Sequence, residues 1–311
     1  LKAGESIGVI GESGSGKSTL LLSIMGLLRQ NTKLSGRIYF GEDELTGMPE
    51  KELDYLRWKK IALVFQNSLD VINPVLKIEE QILECIHRHM GISGEKAAAR
   101  MYELLDAVGL SREWAKAYPH QLSGGMRQKV LIAMALCCDP EILLVDEPTM
   151  ALDAKAKQEI ISLLSNLQRE KGFSMLVISH ELPVVSQITS RMLVMYAGSM
   201  IEEAPTSELL DSPLHPYTRG LIYASPNINI YRDMWGITGE MGVSDEGSCP
   251  FQTRCVQRIE KCSMERPQYA VYEKRQVLCH RGGIITLLKG ECIQKNYQVA
   301  HKSITACRNC N

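Results

Sequence analysis

No apolar run in this 311-residue chain approaches the roughly 20 residues a helix needs to cross a bilayer; segments such as ILLVDEP are far too short. An excess of charge of one sign is also lacking. The 35 Lys and Arg nearly balance 36 Asp and Glu, giving a formal net charge of −1. With no basic arm or long Lys/Arg run, nucleic acid held by bulk charge is not expected. The opening LKAGESIGVIGESG lacks the long apolar core of a signal peptide, and no residue from Leu1 to Ile10 is aromatic. Disulfide dependence is not expected either. Ten cysteines would suit a secreted scaffold in a much shorter chain, whereas this length buries a large core and predicts more than one domain. Cys85, Cys137 and Cys138 fall in apolar helical patterns and read as small buried hydrophobes.

What the chain does have begins at Gly11. SIGVI (Ser6 to Ile10) reads as a short buried strand, GESGSGKST follows, and KSTLLLSIMGLL (Lys17 to Leu28) reads as a helix. Strand, glycine-rich turn and helix are the context a G-x-x-x-x-G-K-[ST] match requires. Gly11, Gly14 and Gly16 let successive amides point at an anion, and the helix N-terminus adds free N–H groups. The candidate phosphate contacts are Gly11, Ser13, Gly14, Ser15, Gly16, Lys17, Ser18 and Thr19. Lys17 is expected to pair with β- and γ-phosphates, and Ser18 to ligate Mg²⁺.

EILLVDEPTMALD predicts a second buried strand, Ile142 to Val145, ending in two carboxylates at the edge where α/β sheets bind ligands. Asp146 is placed to hold Mg²⁺, directly or through water, and Glu147 to orient and polarise an attacking water. LSGGMRQ (Leu122 to Gln128) opens a helix with a hydroxyl and two unencumbered amides, a second phosphate-binding geometry.

Taken in order, these motifs from Leu1 to about Ser225 resemble the ATP-binding cassette (ABC) ATPases: a P-loop, RecA-like α/β core with an inserted helical subdomain. The resemblance implies further roles. Gln66 in LVFQNS is similar to the Q-loop glutamine that touches Mg²⁺ and the attacking water and contacts the membrane partner. Ser123, Gly124 and Gly125 resemble the signature that caps the γ-phosphate held by the opposite subunit. Asp153 is similar to the aspartate that crosses the dimer interface, and His180 in LVISHE to the histidine that contacts the γ-phosphate. The family works as a head-to-tail dimer around two ATPs and drives a membrane partner.

Chromosome-maintenance and recombination-repair relatives carry a long coiled coil before the signature, and excision-repair relatives carry zinc modules there. Ribosome-associated relatives join two cassettes with a charged helical linker. The stretch here has no sustained heptads and a single cysteine, Cys85. VFQNSLDVINPVLKIEEQI and SPLHPYTRGLIYASP instead resemble the oligopeptide, dipeptide and nickel importer ATPases. That resemblance implies ATP-driven uptake at the cytoplasmic face of the membrane, with two permease subunits and an external binding protein. Peptide is the leading cargo, nickel or a metal chelate the second, and a soluble ATPase acting on DNA or ribosomes the alternative of another class.

Cys249, Cys255, Cys262 and Cys279 lie in a polar stretch without a tight C-x2-C pair, which disfavours a zinc ribbon. It resembles the tail of the peptide importer ATPases, where four cysteines can hold a [4Fe–4S] cluster. Zinc and unliganded thiols stay open, and His280 is a possible substitute ligand. The expected organisation is an ABC domain at 1–225, with its helical subdomain at about 69–118 and its N-terminal β-subdomain missing. A cysteine-rich region follows at 226–283. Thr286 to Asn311 reads as two strands, with Tyr297 where an adenine-stacking aromatic would stand, and resembles the start of a second ABC domain. A plain hairpin is the other reading of that segment. Cys307 and Cys310 form a C-x2-C with no matching pair. On this reading the chain is a piece of a tandem ATPase.

Overall fold

Strand β1 (Ser6–Ile10) is buried along its whole length, as a central parallel strand must be. In this computed structural model the description covers residues 1–29, 31–66, 71–224, 237–242 and 247–282, and the backbone of two further strands. From β1 the chain enters α1 (Lys17–Ile24), which stops short of the expected Leu28. Gly26, at φ 64°, turns the chain there. A two-stranded ribbon, β2 (Tyr39–Phe40) with β3 (Asp43–Glu44), and α2 (Glu50–Leu56) lead to β4 (Ile61–Val64).

The helical subdomain expected at about 69–118 is represented by α3 (Ile78–Met90), α4 (Gly94–Ala107) and a 3-10 turn (Arg112–Lys116); Leu69 and Asp70 lie outside the described residues. Local sequence explains α3. Glu79 and Glu80 sit at its start, His87, Arg88 and His89 at its end, and Gly91 closes it in the left-handed region. Its buried stripe, Ile78, Ile82 and Ile86, joins the largest core cluster.

Next come α5 (Gly124–Ala135), β5 (Ile142–Asp146), α6 (Ala154–Lys171), β6 (Ser174–Ile178) and α7 (Leu182–Ile188). Then β7 (Arg191–Tyr196) and β8 (Ser199–Pro205) form a hairpin, followed by α8 (Thr206–Asp211) and α9 (Pro216–Ala224). The tail contributes α10 (Lys261–Met264), β9 (Tyr269–Tyr272) and β10 (Arg275–Leu278).

The main sheet runs β4-β5-β6-β1-β7-β8-β10-β9. Strands β4, β5, β6, β1 and β7 are parallel, and the rest are added antiparallel. All loops leaving the C-terminal ends of β1, β5 and β6 therefore open on one edge, where such sheets bind ligands. The cysteine-rich segment is part of this sheet, since β10 pairs with β8. Its Cys249, Phe251, Cys262 and Leu278 share a core cluster with Ile10, Tyr196 and Tyr217. Strands β11 (Lys295–Val299) and β12 (Lys302–Cys307) pair antiparallel as a hairpin. The side chain of Tyr297 and the thiols of Cys307 and Cys310 fall outside the described residues.

His215, two residues before Tyr217, is buried. Its Nδ1 accepts the Tyr217 backbone N–H at 3.1 Å, which requires a neutral ring on that side. Its own backbone N–H goes to the Glu202 carboxylate, which also pairs with Arg275. Burial pulls the imidazole pKa from 6.5 down to about 3. A base depressed in this way stays neutral when folded while the unfolded chain protonates. The stability it contributes is complete above pH 6.5 and is lost as the pH falls through the window towards 3. Each unit below 6.5 costs about 1.4 kcal/mol. His215→Asn, which keeps an acceptor, should lose less of its thermal midpoint than the parent chain on acidification from 6.5 to about 5. Equal slopes would show that another group controls the acid limb.

Candidate active site

Lys17 lies at the first turn of α1, behind Gly16, whose φ of 99° only glycine adopts without strain. The Lys17 ammonium is drawn back under the loop. It donates to the carbonyls of Gly11 and Glu12, both at 2.8 Å, and more weakly to Ser15 Oγ at 3.4 Å. Burial lowers its pKa, while the carboxylates of Glu147, Asp146 and Glu12 act in the opposite sense. Gly11 must be glycine for a second reason. A Cβ there would stand 2.2 Å from the Met195 carbonyl at the end of β7. Ser15 and Lys17 are buried, while Ser13, Gly14, Ser18 and Thr19 face solvent, so the loop presents an open rim over a closed floor.

Asp146 ends β5 with its carboxylate buried. Burial raises its pKa; a hydrogen bond from the Ser18 hydroxyl acts against this. One of its oxygens, Oδ1, is buried without a partner. An orphaned carboxylate oxygen beside a hydroxyl is a hard oxygen donor set, the kind that Mg²⁺ takes. The expected pairing of Ser18 with Asp146 therefore fits a divalent cation.

Glu147 follows at φ 46°, a conformation costly for a side chain of this size and held by a hydrogen bond from its N–H to the Ile178 carbonyl at 2.9 Å. Its carboxylate accepts the Ser179 hydroxyl at 3.1 Å and the His180 backbone N–H at 3.1 Å. The His180 ring completes the grip, with Nδ1 2.9 Å from Glu147 Oε1. Since an ionised carboxylate only accepts, this contact calls for the proton on Nδ1. The β5–β6 register, with Asp146 opposite Ile178, brings the two strand ends level.

Five expected residues lie elsewhere. Gln66 is exposed and its Nε2 donates to the Met150 thioether at 2.9 Å, in the turn after Glu147. Ser123 caps α5 by accepting the Met126 N–H. Gly124 and Gly125 face Leu152 and Ala156, so the signature turn packs on the segment around Asp153 of its own chain. Asp153 caps α6 by accepting the Ala156 N–H at 2.9 Å.

The iron–sulfur and zinc expectations find no support in the described residues. Among the described residues no three or more of His, Cys, Asp and Glu stand together as a metal-holding group. All four thiols are free. Cys249 and Cys262 are buried among Phe251, Tyr217 and Leu278, and Cys255 packs on the same cluster. Burial pushes the Cys249 thiol up to about 11, and the nearby Cys262, Cys279 and Cys255 act in the same sense. His280 Nε2 bonds the Glu265 carbonyl at 2.9 Å.

Sequence reasoning missed the support that reaches the loop from far along the chain. The Glu12 N–H donates to the Tyr217 hydroxyl at 2.9 Å, and Arg254 pairs with the Glu12 carboxylate at 2.9 Å. The only sequence signal was the HPYT of the segment after the core, which reads as a turn.

The sequence pattern of the ABC transporter family matches residues 1–150, and that of the oligopeptide/dipeptide transporter C-terminal region matches residues 201–262. The oligopeptide transport ATP-binding protein OppD of Salmonella typhimurium is 39% identical over 286 residues, 90% of this chain and 85% of its own. AppD of Bacillus subtilis, of the same description, is 39% identical over 287 residues, 90% and 88%. The chain belongs to the ABC transporter ATP-binding proteins. It is an ATPase of that family. Among solved structures, the ATP-binding cassette MJ0796 bound to ADP and Pi aligns with a TM-score of 0.59 at 35% identity, over 66% of this chain and 87% of that one. The cbiO1 cassette of Clostridium perfringens aligns with 0.61 at 27% identity, over 68% and 81%.

In this ABC cassette, Tyr217→Phe removes the acceptor for the Glu12 N–H and leaves its ring packing intact. The expected cost is about 1 kcal/mol of unfolding free energy, read from denaturant midpoints at constant slope. An unchanged midpoint would show that solvent replaces the bond.

Proposed function

We propose that the chain is the ATP-binding and ATP-hydrolysing subunit of an ABC importer that takes up oligopeptides or dipeptides. The observation that carries the chemistry is the Glu147 carboxylate, held by Ser179 and His180 at the same sheet edge as the Lys17 loop. The cargo class rests on the relatives' descriptions and on the tail's match to the oligopeptide/dipeptide transporter region. No observation favours nickel, and none favours DNA or ribosomes.

In this reading Lys17 and the amides of Gly14, Ser15 and Gly16 hold the β- and γ-phosphates, and Ser13 and Thr19 line the open rim. Ser18 and Asp146 would hold Mg²⁺, which neutralises phosphate charge when bound. Glu147 orients and polarises the water that attacks the γ-phosphate. His180 keeps Glu147 aimed through Nδ1 and Gln66 senses the membrane partner. Ser123, Gly124 and Gly125, packed on the Leu152–Asp153 turn, serve the nucleotide of a second cassette in a head-to-tail pair. In this reading one tandem chain encodes the pair, with the 284–311 segment opening the second cassette, and it acts with two permease subunits and an external binding protein. In this reading the chain is a peripheral subunit docked at the cytoplasmic face; among the described residues no helix is long and apolar enough to cross a membrane. The iron–sulfur expectation stays outside this reading.

Glu147→Gln should keep MgATP binding and lower hydrolysis by about 10²-fold or more, measured as phosphate release by the chain assembled with its permease partners. Hydrolysis at the parent rate would remove Glu147 from the role of base.

A further inference from the structure

One of the tail's contacts with the phosphate loop is charged. Arg254 is almost wholly buried, with 6% of its side chain exposed, and its Nη1 donates to Glu12 Oε2 at 2.9 Å. The guanidinium is fixed from three other directions. Nε donates to the Thr238 carbonyl at 3.0 Å, Nη2 to the Ile237 carbonyl at 3.4 Å, and Nη1 lies 3.5 Å from the Tyr196 hydroxyl. Its plane also lies over the Tyr196 ring, 5.7 Å from the centroid. The segment that supplies these carbonyls runs on to Met241, whose methyl sits 3.2 Å from where a Cβ on Gly14 would be. The tail thus touches the loop at both its second and fourth residues.

Glu12 is an awkward residue for a loop that binds phosphate. Its carboxylate is close enough to act on the buried Lys17 ammonium, together with Asp146 and Glu147. A triphosphate entering the loop meets that negative charge at short range, in surroundings where screening by water is reduced. Arg254 is the cation bonded to it. Arginine suits the task because its charge is permanent and its fork can serve several acceptors at once.

We propose that Arg254 is a positioning residue for the nucleotide: by pairing with Glu12 it cancels the negative charge that the phosphate loop itself sets against a triphosphate. The cysteine-rich tail thereby becomes part of the ATP site without touching ATP. This rests on the reading of the loop as the ATP site.

The test is equilibrium titration of the full chain with MgATP, with circular dichroism as the check on folding. Arg254→Gln should weaken binding by about tenfold, and added salt should shrink that difference. Adding Glu12→Gln to the same chain should restore the affinity, because no charge then needs cancelling. A purely structural bridge gives the opposite result, with the double variant as weak as Arg254→Gln or weaker, and that outcome overturns the proposal. So does an Arg254→Gln chain that binds like the parent. If Arg254→Gln fails to fold, Glu12→Gln alone decides. The proposal requires it to bind MgATP more tightly than the parent, and equal or weaker binding refutes it. Lys17→Ala separates the two levels of inference. If the parent chain and Lys17→Ala both fail to bind, the ATP reading itself fails. If Lys17→Ala alone loses binding while the Arg254 and Glu12 variants match the parent, only the charge-cancelling role fails.

Discussion

An ammonium withdrawn from water costs several kcal/mol unless carbonyls and carboxylates replace its hydration. Lys17 is in that position, and much of the surrounding architecture follows from it. The Gly11 and Glu12 carbonyls can turn inward to meet it only because Gly11 has no Cβ to strike Met195. The balancing carboxylates come from the end of β5, two strands away from β1, so β6 must lie between them in parallel register. That same β6 ends in Ser179 and His180, which hold Glu147 in its strained conformation. One buried charge thus links strand order, loop composition and the aim of the candidate base.

The tail belongs to this arrangement rather than hanging from it. Strands β9 and β10 extend the main sheet, and Phe251 packs against Tyr196 and Tyr217 with ring centroids 5.1 and 5.4 Å apart. Cys249 and Cys262 are buried in the same cluster, and Cys255 packs against it. Tyr217 then uses both ends of its side chain, the ring in that aromatic cluster and the hydroxyl on the phosphate loop.

Sequence made the catalytic edge legible because each part is local. A glycine-rich loop between strand and helix, two acids after an apolar run and a histidine after another apolar strand are contiguous signals, and the structure brings Lys17, Asp146, Glu147 and His180 together. What was not legible is long-range. Tyr217 lies 205 residues from Glu12, and Arg254 lies 242 residues from it. No periodicity marks either residue. The surroundings of the cysteines were hidden for a related reason. Their spacing suggested a ligand set, and it said nothing of the apolar neighbours that the fold delivers to Cys249, Cys255 and Cys262. Asp153 carries two readings at once, since a helix cap and an interface aspartate occupy the same position in sequence.

Charge balance around the loop explains why these distant contributions matter. Glu12, Asp146 and Glu147 are acids, and Lys17 and Arg254 are the bases paired with them or acting on them. Without Arg254, Lys17 alone would face three carboxylates, and a triphosphate would add to the imbalance. With Arg254 in place, Glu12 is neutralised locally, and Lys17 is left to Asp146, Glu147 and an incoming phosphate. The buried Oδ1 of Asp146 still has no partner within the protein. A site in this state accepts a cation and a phosphate together more readily than either alone, because each supplies the charge the other lacks. The tail, by settling the account of Glu12, leaves the strand-end acids to the metal-nucleotide pair.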